Sequence, residues 1–184
     1  MERSYPLVIT IVGAESSGKT MLAKQLAEAL SCQWLPEYAR EYLEKLDRPY
    51  EFEDLEEMAR GQWGSLPAPS PLKGNNEDLT DKIQTSISDL VISLKTLEKE
   101  VIIVDSGMLT IRMWARIKYG KTIPFVEEKI RQDPTSLYLL CRPRIEWGID
   151  PLREAPSLVD RVWIYNQYLK ELVENNLPFK IMVT

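Results

Sequence analysis

An apolar, β-branched run, Leu7-Val8-Ile9-Thr10-Ile11-Val12, leads directly into Gly13-Ala14-Glu15-Ser16-Ser17-Gly18-Lys19-Thr20. An amphipathic stretch follows, with Leu22, Leu26 and Leu30 on one stripe. Strand, glycine-bounded turn and helix in this order fit the pattern G-x-x-x-x-G-K-[ST] in full and in its required context. The glycines let successive backbone N–H groups turn inward, and the helix start adds the positive end of its dipole. Such a cradle holds the phosphates of a nucleotide. Lys19 is expected to reach the β- and γ-phosphates of ATP, and the Thr20 hydroxyl to complete a Mg2+ shell.

The rest of the chain repeats the alternation. Short strands are expected at Gln33–Leu35, Val101–Asp105, Leu137–Cys141 and Phe179–Val183. Helices are expected at 37–46, 52–62, 79–98 and 158–174, with two shorter ones after Asp105. Strands alternating with helices imply parallel βαβ units, and so an α/β three-layer sandwich. One P-loop domain spans 1–184 in this reading, without internal repeats. Two segments stand apart. Residues 64–79 are rich in proline, glycine and serine and are expected to form a mobile loop. Residues 142–156 carry prolines and arginines.

Composition removes several chemistries. The chain has no histidine and only two cysteines, Cys32 and Cys141, so no Ser-His-Asp triad and no zinc site can be built. Any general base must be a carboxylate, and any metal a hard ion on oxygen ligands. A net charge of −5 argues against nucleic acid and anionic membranes as partners. There is no apolar run of about 18 residues and no signal-peptide core, so the expected location is cytoplasmic, with both thiols reduced.

Asp105 ends a buried-type strand, where a carboxylate serves magnesium in P-loop proteins. The alternative is a cap for the following helix, since Ser106 and Gly107 suit a helix start. No Asn-Lys-x-Asp segment is present to read guanine. Instead Arg142, Arg144, Arg153 and Arg161 follow the strand at Cys141, an arrangement suited to a lid over a transferring phosphoryl group. Glu37, Arg40 and Glu41 share a helix face, and on spacing alone that face is an ordinary charged one.

The phosphate loop, then Pro36-Glu37-Tyr38-Ala39-Arg40-Glu41-Tyr42, Ala59-Arg60-Gly61-Gln62, Val104-Asp105, Thr110, Trp114, Tyr119-Gly120, Trp147 and Asp150-Pro151-Leu152-Arg153-Glu154 resemble the NadR-like ribosylnicotinamide kinase family and its P-loop ATPase relatives. The resemblance covers most of the chain and its kinase domain only, since the histidine-bearing adenylyltransferase signature has no counterpart. It implies a sheet ordered 2-3-1-4-5 and ATP-dependent phosphorylation of a nucleoside 5′-hydroxyl. Glu37 would orient or deprotonate that hydroxyl, Asp105 would serve magnesium, and Arg153 and Arg161 would come from the lid. Tyr38, Arg40 and Trp63 stand as candidate substrate contacts.

Three positions depart from the family pattern. Asp105-Ser106-Gly107 replaces Asp-Thr-Asp, Pro36 stands where an aromatic can precede the Glu-Tyr pair, and Arg144 replaces an acid. Trp34 or Trp63 could supply a substitute platform, although core packing is the plainer role for Trp34. The other reading is a P-loop ATPase or nucleotide-sensing module that phosphorylates no small molecule.

Overall fold

The computed structural model describes residues 5–68, 86–143, 154–155 and 157–183. Five parallel strands form one sheet in the order β2-β3-β1-β4-β5, the order implied by the resemblance. They are β1 (Leu7–Gly13), β2 (Gln33–Leu35), β3 (Val101–Asp105), β4 (Thr135–Cys141) and β5 (Phe179–Met182). The helices are α1 (Lys19–Leu30), α2 (Tyr38–Glu44), α3 (Phe52–Ser65), α4 (Ile87–Thr96), α5 (Met108–Tyr119), α6 (Pro124–Ile130) and α7 (Leu158–Glu174).

Every residue of β1 and β3 is buried, as expected of central strands covered on both faces. Alternate side chains go to opposite layers. Ile9 and Ile11 join Leu22 and Leu26 of α1 and Leu90 and Leu94 of α4. Val12 and Leu140 join Leu109 and Met113 of α5 and Ile164, Tyr168 and Leu172 of α7. A third cluster, from α3, α5 and α6, includes Leu55, Met58, Met108, Ile111 and Val126. It carries the wall of the cleft described below. Truncating one such buried leucine to alanine typically costs about 2–5 kcal/mol.

Boundaries differ from expectation where caps decide them. α4 spans Ile87–Thr96, its start capped by the Ser86 hydroxyl, which accepts the N–H of Asp89 at 3.2 Å; residues 79–85 of the expected helix lie outside the described residues. It ends at Thr96 rather than Glu98, which takes a left-handed φ of 48°. α3 runs three residues past Gln62, to Ser65. Most of the 64–79 loop lies outside the described residues, as do 144–153 of the 142–156 segment. Among the described residues, no helix is long and apolar enough to cross a membrane.

The register matters for function. Ile11 pairs with Asp105 and Gly13 with Cys141, so β1 and β3 end side by side. The connection after β1 runs to the β2 edge of the sheet and that after β3 crosses to β4 on the other side, and the crevice outside the strand ends at such a switch point is where α/β folds take ligands.

Candidate active site

At the end of β1 the chain turns sharply. Gly13 has φ 145°, and a Cβ there would lie 2.8 Å from the carbonyl oxygen of Cys141. Ser16 and Gly18 are left-handed, at φ 55° and 81°. Gly18 occupies the cap position of α1 and offers no side chain, and the first turn of α1 holds no acid. The orphan N–H groups of that turn therefore face the cleft. Lys19 Nζ donates to the carbonyl oxygen of Ala14 at 2.9 Å, holding its charge over the loop.

Asp105 is 2% exposed. The Thr20 hydroxyl lies close enough to its carboxylate to lower its pKa, while Oδ1 is buried without a partner. Burial raises its pKa, against the lowering effect of Thr20, Lys19 and Arg40. A hydroxyl and a buried carboxylate oxygen, set beside a cradle that would bring in phosphate oxygens, are the hard oxygen donors a magnesium ion takes. Asp105 does not cap α5, whose cap position is Gly107.

Glu37 sits at the cap position of α2 without capping it. Its carboxyl opens into the cleft, and burial is the largest influence on it, raising its pKa. Lys19 and Arg40 lower it, and Asp105 raises it. The Ser106 hydroxyl approaches closely enough to lower it further, yet closes no hydrogen bond. Glu37, Lys19 and Asp105 thus share one electrostatic neighbourhood.

The cleft has a volume of about 360 Å³, within the range of small-molecule sites. One side is the phosphate loop from Gly13 to Thr20, Ala14 excepted. The other is apolar and aromatic, with Leu55, Met58, Ile111, Tyr50 and Trp114. Gln62, Thr110 and Arg40 add polar groups between the two halves. Burial pushes the Tyr50 phenol up to about 12, so that hydroxyl remains a donor across the working pH range.

Several expected contacts lie elsewhere. Trp63 is on α3 but does not line the cleft; Lys129 Nζ lies over its ring, 5.3 Å from the centroid. Tyr38 packs its ring over Gly61, where a Cβ would stand 2.0 Å from Cε1, and its N–H donates to Gln62 Oε1 at 2.9 Å. Arg161 lies in α7, past the 142–156 segment. The Ser157 cap starts α7 at Leu158, and the side chain of Arg161 is 1% exposed and is not among the residues lining the cleft. Arg40 does line the cleft. Arg144 and Arg153 lie outside the described residues.

That position 107 is a glycine has a local reason. A Cβ there would stand 3.1 Å from the Thr10 methyl, and the Thr10 hydroxyl bonds that of Thr135 at 2.7 Å.

Residues 8–184 match the family described as an AAA domain. The chain belongs to that family. It is 27% identical over 173 residues to the trifunctional NAD biosynthesis/regulator protein NadR of Salmonella typhimurium. That match takes in 93% of this chain but 37% of NadR, so the chain spans little over a third of its relative. Among solved structures, NadR in complex with NR aligns with a TM-score of 0.68 at 20% identity, over 96% of this chain and 45% of that one. NadR with NAD and AMP-PNP aligns with a TM-score of 0.64 at 19% identity, over 96% and 44%. Both share the fold of this AAA-family chain, and the likeness to NadR read from its motifs runs nearly end to end.

Proposed function

We propose that the chain transfers the γ-phosphoryl group of ATP to the 5′-hydroxyl of a nucleoside, with Mg2+. The observation that carries this reading is the position of Glu37, a carboxylate that does not cap its helix and lines a cleft shared by a phosphate cradle and apolar, aromatic side chains. A hydrolase needs no such second half, whereas a base stacked against Trp114 and Tyr50 would present its ribose toward Glu37.

The residues divide the work. The loop N–H groups and Lys19 bind and orient the triphosphate. Thr20 and Asp105 would hold magnesium, which supplies charge neutralisation on the phosphate oxygens. Glu37 accepts the hydroxyl proton as the oxygen bonds to phosphorus and the bond to ADP breaks. A carboxylate raised by burial is better matched to that proton than an exposed one. Arg40 adds positive charge near the transferring group. The apolar wall excludes water, which favours transfer over hydrolysis. That one solved NadR is in complex with NR and another with AMP-PNP supports this assignment.

ADP release, coupled to a reporter and measured against a nucleoside panel that includes nicotinamide riboside, tests it. Turnover above the rate without acceptor is expected for at least one nucleoside. Turnover that no nucleoside raises would leave the ATPase or nucleotide-sensing reading in its place.

A further inference from the structure

The carboxylate of the third residue of the phosphate loop, Glu15, is engaged by backbone N–H groups. These belong to a segment 139 residues further on. The N–H of Glu154 lies 3.1 Å from Oε1 and 2.9 Å from Oε2, and that of Ala155 lies 2.7 Å from Oε2. Bonds to an ionised oxygen are shorter and stronger than neutral ones. A carboxylate free to swing into the cradle would repel a triphosphate, and these bonds restrain it.

The path continues through the side chain of Glu154. Its Oε1 accepts Lys118 Nζ at 2.7 Å, and its Oε2 accepts the Tyr50 hydroxyl at 3.3 Å. Lys118 Nζ also lies 3.7 Å from the centroid of the Tyr50 ring. The Tyr50 carbonyl accepts the Tyr119 hydroxyl at 3.2 Å, which anchors this stretch to α5. Glu15, Glu154 and Tyr50 all border the cleft. A continuous set of polar contacts thus joins the donor loop to the aromatic wall of the acceptor half.

We infer that Glu15 is a positioning residue for the acceptor: through Glu154 it fixes the Tyr50 wall against the phosphate loop, making donor and acceptor subsites one mechanical unit. The inference rests on the nucleoside-kinase reading for its kinetic form. It assigns Glu15 no contact with either substrate. Glutamate has the required reach and two acceptor oxygens. Glutamine keeps one acceptor and turns an NH2 toward a donor, so it should serve only in part.

The test is steady-state kinetics of Glu15→Ala, Glu15→Gln, Glu154→Ala and the Glu15→Ala/Glu154→Ala pair, each first shown to melt cooperatively. Glu15→Ala is expected to raise the acceptor KM about tenfold while the ATP KM moves less than about threefold, with Glu15→Gln between it and the unmodified protein. The double variant should be no worse than the poorer single one, because both act along one path. Equal rises in both KM values, or additive losses in the double variant, would overturn the inference. If the unmodified protein phosphorylates no nucleoside, the kinase reading falls and amide exchange decides this one. Faster exchange at Glu154 and Ala155 in Glu15→Ala upholds the contact as a strap, and unchanged exchange sinks it.

Discussion

Lys19 Nζ and the carbonyl oxygen of Ala14 are joined by a hydrogen bond of 2.9 Å. The loop thereby holds its own cation in place, and a bound triphosphate would compete for it. Lys19→Ala should abolish phosphoryl transfer, since the point charge at the β- and γ-phosphates is lost. The fold should survive, because the bond it removes lies within the loop. Circular dichroism alongside the ADP assay checks both halves. Residual activity near that of the unmodified protein would undo the assignment of the loop.

Glu37 gives a pH prediction. Burial raises its pKa, so the basic form is lost at a higher pH than for an exposed glutamate. The kcat should therefore fall as pH drops through that raised value, leaving an acid limb above the usual carboxylate range. Glu37→Gln should lower kcat by about 10²–10³-fold, change ATP binding little and remove the limb. A limb that persists in the variant assigns it to another group.

Asp105 makes the stability argument run the other way from activity. Its folded pKa lies above its unfolded one. A raised carboxyl favours folding below the unfolded pKa and loses that benefit as pH rises through the folded one, so at neutral pH the buried charge costs stability. Asp105→Asn should raise Tm by a few degrees at neutral pH, with the gain disappearing in acid, while Mg2+-dependent turnover is lost. Melting curves across pH decide this, and a lower Tm at neutral pH counts against it.

Trp114 and Trp63 separate on function. Trp114 borders the cleft and Trp63 does not. Trp114→Leu should raise the acceptor KM about tenfold, since stacking against a base is worth roughly 1–3 kcal/mol. Trp63→Leu should leave kinetics alone and lower only stability. The opposite pattern would return the platform to Trp63.

Gly61 tests the packing of α2 on α3. A Cβ there would fall within 2.3 Å of three atoms of the Tyr38 ring. Gly61→Ala should cost about 2–3 kcal/mol in spite of alanine's better helix propensity. Adding Tyr38→Ala should return part of that loss, as measured by urea unfolding.

What could be read from the chain alone follows from how local each signal is. The phosphate loop, Thr20 and Asp105 are legible because one strand and its following turn encode each. All five strands have central residues where period and β-branching place them, with β4 extended to Thr135 by its pairing with β1. The apolar wall was not legible. Tyr50, Met58 and Trp114 come from a loop, α3 and α5, and a helix stripe facing a cleft has the same spacing as one facing a core. Glu37 looked like a charged helix face, and only the family resemblance gave it a role. Arg161 carried a usable signal: with Ile164, Tyr168 and Leu172 it keeps a helical spacing, and all four are buried. Its charge suggested a lid, but its phase pointed inward.

The contact between position 107 and Thr10 has a further consequence. Thr10 is not part of the cleft wall, and its hydroxyl is tied to Thr135, so its methyl cannot easily swing away from an incoming Cβ. Restoring an acid at Gly107 alone would therefore meet resistance that has nothing to do with the acceptor. With Thr10→Ser first, the bond to Thr135 can stay and the obstructing methyl is gone. The two substitutions are expected to be epistatic, so a residue that lines no part of the cleft would decide whether position 107 can carry a side chain at all.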